Sequence, residues 1–119
     1  MTHSTFARIA ASLAMLGVAL GAFGAHGLRE QLEAVNRGID TWRTAVFYQL
    51  IHAVVMYFLA TTGGSLRACQ LFAVGIIIFS GTLYPLALKL LPWLGPVTPF
   101  GGILLIAGWG TLLIQKRSS

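Results

Sequence analysis

"GVALGAFGAHGLRE", residues 17–30, decides how this chain is read. The stretch is small and apolar up to Ala25, then brings His26 and two charges, Arg29 and Glu30. It fits the tail of a secretion signal, a metal or cofactor site, or the end of a membrane helix packed on its neighbours. Gly17, Gly21 and Ala25 are four residues apart, and Ala10 and Ala14 continue roughly the same stripe. Such a small-xxx-small pattern strips bulk from one helix face and lets another backbone approach closely. The spacing therefore predicts a packing face, within the chain or between chains. In this reading Gly27 closes the helix as a C-terminal cap, and His26 sits at the membrane boundary. A secretion signal is the rival: Arg8 would serve as its charged start and Ala22–Gly24 as its cleavage site. We read the segment as a retained helix.

The surroundings support a membrane. Hydrophobic residues make up 56% of the 119-residue chain and charged ones 9%. Soluble domains carry about 25% charged residues, so this surface is too poor in charge to face water all round. The net charge of +5 comes from eight Lys and Arg that lie in loops and at segment ends, with no run or patch. Nucleic acid is excluded as a partner on that ground, and flank charges that set orientation are the ordinary explanation. Cys69 is the only cysteine, so there is no intrachain disulfide. In an apolar stretch it reads as a small buried hydrophobe.

Four apolar segments account for nearly the whole chain, read as one membrane domain over residues 1–119. Spanning a bilayer takes about 20 residues. The predicted helices are about 6–27, 44–62, 68–90 and 98–115, the fourth at the short end of that range. Runs this long lack the alternation of a membrane barrel. "GGSLR" (63–67) and "LPWLGPVTP" (91–99) are short links, hence antiparallel neighbours and an up-down bundle. Thr98 can cap the last helix with Pro99 at its first position. Trp93 is placed as an interfacial anchor.

The link between the first two segments is the sizeable polar stretch, 29–43. Leu28, Leu32, Val35, Ile39 and Trp42 recur at alternating spacings of four and three, which is one helical face. Glu30, Glu33, Asp40, Arg29, Arg37 and Arg43 lie off it. This predicts an interfacial amphipathic helix lying on the membrane, with a break near Gly38 and with Trp42 interfacial. The alternative is a cap folded over the bundle end. Four spans put both termini on one side, with Arg8, Arg67, Lys116 and Arg117; Arg29, Arg37, Arg43 and Lys89 lie opposite. The count ties, but all three acids are on the second side and the basic tail is terminal. The termini are assigned to the cytoplasm of an inner-membrane protein.

"GAFGAHGL" (21–28), "WRTAVFYQLIHA" (42–53), "GIIIFSGTLY" (75–84) and "GPVTPFGGILLIAGW" (95–109) together resemble one family. It joins small bacterial inner-membrane proteins called YgdD-like with eukaryotic transmembrane protein 256. The match runs through the four segments in order, essentially the whole chain. The resemblance implies a compact integral membrane protein and brings no reaction or active site to carry across.

The polar residues inside the segments are the candidates for chemistry. Gln49 and His52 are three apart on one face, and His52 lies roughly 12 Å below the interface at Thr44. Intramembrane ionisable groups default to a functional hypothesis, against which stands a neutral histidine bonded to a neighbouring helix. There is no Asp, Glu or second deep histidine for a relay. A haem between His26 and His52 fails on depth, the two differing by about 10 Å, and a metal lacks further ligands nearby. No cofactor is expected. Ser80 and Tyr84 share a face, and Pro85 cannot donate to the Gly81 carbonyl, so a kink is expected there. Ser80 as a nucleophile lacks an oriented base. Trp109 falls mid-helix and its indole N–H wants an acceptor from Gln49, Tyr84 or a carbonyl. We expect a buried polar cluster of Gln49, His52, Ser80, Tyr84 and Trp109 that fixes how the helices dock.

The leading expectation is a non-catalytic membrane protein acting through helix contacts, an accessory, assembly or stabilising subunit of a larger complex. Its partners are the lipid bilayer and other membrane subunits or further copies of itself. The alternative is a small oligomeric transporter or channel with a polar path near His52.

Overall fold

The computed structural model describes residues 1–116; Arg117, one of the flank charges counted above, lies outside them. The described residues form α1 (His3–Ala25), α2 (Arg29–Glu33), α3 (Gly38–Thr61), α4 (Leu66–Ala87), a 3-10 turn (Pro92–Leu94) and α5 (Thr98–Ile114). Four helices are long and apolar enough to cross a membrane: α1, α3, α4, and α5 lengthened by the turn to Pro92–Ile114. The protein is an all-α membrane bundle. α1 packs on α3, α3 on α4 and α4 on α5, with a light contact of α1 on α4. The middle of the molecule is therefore α3 and α4, with α1 and α5 outside.

A spacing of four and three sets this packing. The buried face of α3 carries Gly38, Trp42, Ala45, Gln49, His52, Met56 and Leu59. α1 turns inward Phe6, Ala10, Gly17 and Gly24, with the partly buried Leu13 and Leu20 between them. On α5 the buried residues are Gly101, Leu105 and Gly108. A repeat of 3.5 residues keeps a seam facing its partner in left-handed packing at about 20°. Of the stripe expected on α1, Gly17 and Gly21 face α3 and Ala25 does not. A straight run of fours drifts off a 3.5-residue seam, so Ala25 ends exposed while Gly24 is buried.

Helix ends differ from expectation in several places. α3 starts at Gly38, six residues before Thr44, so the polar link is divided. Its first part is the five-residue α2; Arg37 then turns left-handed (φ 63°) and the rest is the first turns of α3. Leu32 and Trp42 are buried with Ala87, so the apolar side of the link folds onto the bundle end. Gly38 permits this: a Cβ there would meet the carbonyl oxygens of Leu32 and Ala87. α1 ends at Ala25 with His26 as its C-cap, and the Leu28 N–H bonds the Phe23 carbonyl at 2.9 Å. Gly27 follows that cap without the positive φ of a glycine C-terminal motif, which Gly63 does adopt after α3 (φ 74°). α4 continues through Pro85 and ends two residues later, because the proline sits in the last turn. α5 begins at Thr98, after Val97, with Pro99 in its first turn.

Candidate functional site

The polar side chains of the spans are distributed along the helix seams and bond across them. On α3, Gln49 donates to the Leu13 carbonyl of α1 at 2.7 Å and accepts from the Tyr84 hydroxyl of α4 at 2.6 Å. One amide thus ties three helices. One turn further along α3, Nδ1 of His52 bonds the Tyr48 carbonyl of its own helix at 2.8 Å. Nε2 of His52 accepts the Trp109 indole N–H of α5 at 3.0 Å. A ring nitrogen that accepts carries no proton, so this arrangement is the neutral Nδ1–H tautomer. The Ser80 hydroxyl of α4 donates to the Ala45 carbonyl at 2.7 Å.

The five residues expected to cluster therefore make three separate contacts, spread along α3 from Ala45 to His52. Gln49 pairs with Tyr84, His52 with Trp109, and Ser80 with backbone. Trp109 finds its acceptor in His52, not in Gln49, Tyr84 or a carbonyl. It is also 44% exposed, although its ring meets the buried Phe72 of α4 edge-on. Tyr84 is half-buried.

Trp42, read as interfacial, is 5% exposed. Its indole N–H bonds the Leu20 carbonyl at 2.8 Å, and its ring meets Tyr84 edge-on at 4.8 Å. The burial follows from its place on the α3 seam and from Gly24 opposite, where a Cβ would run into the indole. Trp93 stands exposed in the 3-10 turn, and His26 is exposed at the end of α1. Gly17 faces Leu50, and Gly21 faces Val46.

Other contacts have no forerunner in the sequence reading. Thr98 is the first residue of α5 and not its cap, and its hydroxyl pairs with that of Thr82 of α4 at 2.6 Å. His3 bonds the Gly64 carbonyl through Nε2 at 2.8 Å, tying the start of α1 to the α3–α4 link. Gly75, Gly101 and Gly108 let α4 and α5 close on each other; a Cβ on Gly101 would strike the Phe79 backbone. The available signal was the seven-residue step from Gly101 to Gly108, matched by Gly17 to Gly24 on α1.

Among the described residues no buried side-chain nitrogen or oxygen lacks a partner. No three His, Cys, Asp or Glu side chains converge there on a metal position. His52 has both ring nitrogens committed, so it presents no free lone pair to an incoming ligand. What this arrangement does chemically is hold four helices in register.

A family profile described as "Protein of unknown function (DUF423)" matches residues 20–102. The chain belongs to the DUF423 family. Its relatives include a UPF0382 membrane protein of Staphylococcus haemolyticus, 39% identical over 115 residues, which are 92% of this chain and 93% of the relative. The UPF0382 membrane protein YwdK of Bacillus subtilis is 38% identical over 108 residues, 85% of this chain and 86% of its own. A UPF0382 membrane protein of Schizosaccharomyces pombe is 34% identical over 118 residues, 92% of this chain and 99% of its own. No solved structure matches. The DUF423 match takes in Trp42, Gln49, His52, Ser80 and Tyr84 and stops short of Trp109. The DUF423 chain is a membrane protein on two grounds, its four spans and its kinship with these membrane proteins.

Proposed function

We propose that this DUF423 protein is a non-catalytic, multi-pass membrane protein that works through its helix faces. It serves as an accessory, assembly or stabilising subunit of a larger membrane complex. The observation that carries the reading is the use of its polar groups. Gln49, His52, Ser80, Tyr84, Trp42 and Trp109 each spend their hydrogen bonds on holding helices together. What the chain then offers outward is apolar surface on all four spans, including Val18, Phe47, Val54, Ile77 and Ile103. Groups locked in this way are poorly placed to act on a substrate or line a path.

We further assign the protein to the inner, cytoplasmic membrane with both termini in the cytoplasm. The support is the even number of spans together with Lys116 at the tail and all three acids at the opposite end. We take the YgdD-like and transmembrane protein 256 names as synonyms for this same family.

Native mass spectrometry after gentle extraction at chromosomal expression level tests the role. A fixed assembly with a different membrane protein is the expected result. A monomer with no stoichiometric partner overturns it. A lone homo-oligomer also overturns it and moves the reading to a small oligomeric transporter, with His52 the first residue to mutate.

A further inference from the structure

We propose that the groove between α1 and α3, at the end closed by α2, holds one anionic phospholipid of the surrounding bilayer. The groove arises from unequal walls. Gly21, Gly24 and Ala25 leave α1 nearly bare, while Val46, Phe47 and Leu50 stand up from α3. Between them is a cavity of about 250 Å³. That is below the roughly 300 Å³ at which whole-ligand pockets begin. It suits a segment of one acyl chain, with the second chain left in the bilayer.

The charged groups select the head group. The groove is lined by two charged side chains, Arg29 and Arg43, and both are cations. The neighbouring carboxylates Glu33 and Asp40 line a separate depression, together with Arg37. Arg29 shares its charge with Glu33, at 2.8 Å. Arg43 is exposed and has no ion pair among the described residues. It is the group available to a lipid phosphate.

The direction of the groove fits a lipid as well. From Arg43 to Leu50 the α3 axis rises about 10 Å, and one leaflet of hydrocarbon is about 15 Å deep. A second apolar depression, lined by Ala10, Ala14, Ala53 and Val54, continues along the same two helices. The apolar track therefore starts at the arginines and runs inward as a lipid tail does. A helix of another protein, about 10 Å across, is too thick for a slot between two helices already in contact.

The test is native mass spectrometry of the delipidated full-length protein in non-ionic detergent. It is titrated with phosphatidylglycerol and, separately, with phosphatidylcholine of the same acyl chains. One phosphatidylglycerol per chain is expected, at about fivefold lower concentration than phosphatidylcholine, the size of one arginine–lipid contact. Arg43→Gln brings the two lipids within about twofold, whereas Arg8→Gln, near the other end of α1, leaves the preference intact. Ala25→Leu, at an exposed position, fills the groove and weakens retention of both lipids, which keeps the proposal testable if Arg43→Gln does not fold. Equal retention of the two lipids by the wild type overturns the proposal. So does a preference that survives Arg43→Gln, one lost equally in Arg8→Gln, or retention unchanged in Ala25→Leu.

Discussion

Trp109 of α5 donates its indole N–H to Nε2 of His52 of α3, and the same imidazole is anchored at Nδ1 to the Tyr48 carbonyl. The two bonds together allow one protonation state. A doubly protonated ring would turn a donor toward Trp109, and the other neutral tautomer would turn a lone pair toward a carbonyl. In ¹⁵N NMR of histidine-labelled protein, His52 should show a protonated Nδ1 and a bare Nε2. Trp109→Phe should leave Nδ1 protonated and cost about 0.6–1.7 kcal/mol in a denaturant titration, the range of interhelical bonds in membranes. A protonated Nε2 in the wild type would mean that this contact is not made.

Gln49 gives the second prediction because its two ends serve different partners. Tyr84→Phe removes the donor to Oε1 and keeps the α1 bond, so it should cost about 1 kcal/mol. Gln49→Leu gives up both bonds, including the one to Leu13 that fixes α1, and should cost more than Tyr84→Phe. A double-mutant cycle separates the two. The coupling between Gln49 and Tyr84 should be near the cost of Tyr84→Phe alone, and zero coupling would show that the pair is not bonded in the bilayer.

The architecture was readable in the sequence because long uncharged runs have one solution in lipid, with every backbone group bonded inside its own helix. The choice of face was less readable. Steps of four (Gly17, Gly21, Ala25) and steps of three and four (Phe6, Ala10, Leu13, Gly17, Leu20, Gly24) share Gly17, and tertiary packing chooses between them. Partners were harder still. That Trp109 would find His52, or Trp42 the Leu20 carbonyl, depends on the register of helices far apart in the chain, which spacing along one helix does not encode. Trp42 was misread for the related reason that an amphipathic face is the same whether it lies on lipid or on a bundle end.

The corrected seam on α1 makes adjacent residues behave oppositely. Gly24→Ala sets a methyl against the Trp42 indole, which is itself held by its bond to Leu20. The expected cost is about 1–3 kcal/mol, typical of overpacking. Ala25→Leu, one residue on and exposed, should change stability by no more than about 0.5 kcal/mol. If Ala25→Leu proves the more damaging of the two, the four-residue stripe is the true packing face.

Lys89 holds a left-handed conformation (φ 59°) just past α4, where its N–H bonds the Leu86 carbonyl at 3.0 Å and the Leu90 N–H bonds Pro85 at 2.9 Å. This is the position helices usually give to glycine. A side chain costs roughly 1–2 kcal/mol in that region, and glycine loses part of this again in chain entropy. Lys89→Gly should therefore stabilise the fold by about 0.5–1 kcal/mol. A destabilised variant would mean that the lysine side chain makes up for its strain by another contact.

The α4–α5 contact offers the sharpest contrast between two glycines of one helix. At Gly101 a Cβ would meet the Phe79 backbone, with Cα at 2.8 Å, and backbone cannot swing aside as a side chain can. At Gly110 a Cβ would meet nothing within 4 Å. Gly101→Ala must push α5 off α4, which also pulls Thr98 from Thr82 and Gly108 from Phe72 along the same seam. A loss of about 3 kcal/mol, the upper end for overpacking, is expected. Gly110→Ala should instead be neutral or stabilising by up to about 1 kcal/mol, since alanine is the better helix former. Thermal unfolding of the two variants side by side in the same detergent reads the difference directly. Equal melting temperatures would mean that α5 does not sit on α4 through Gly101.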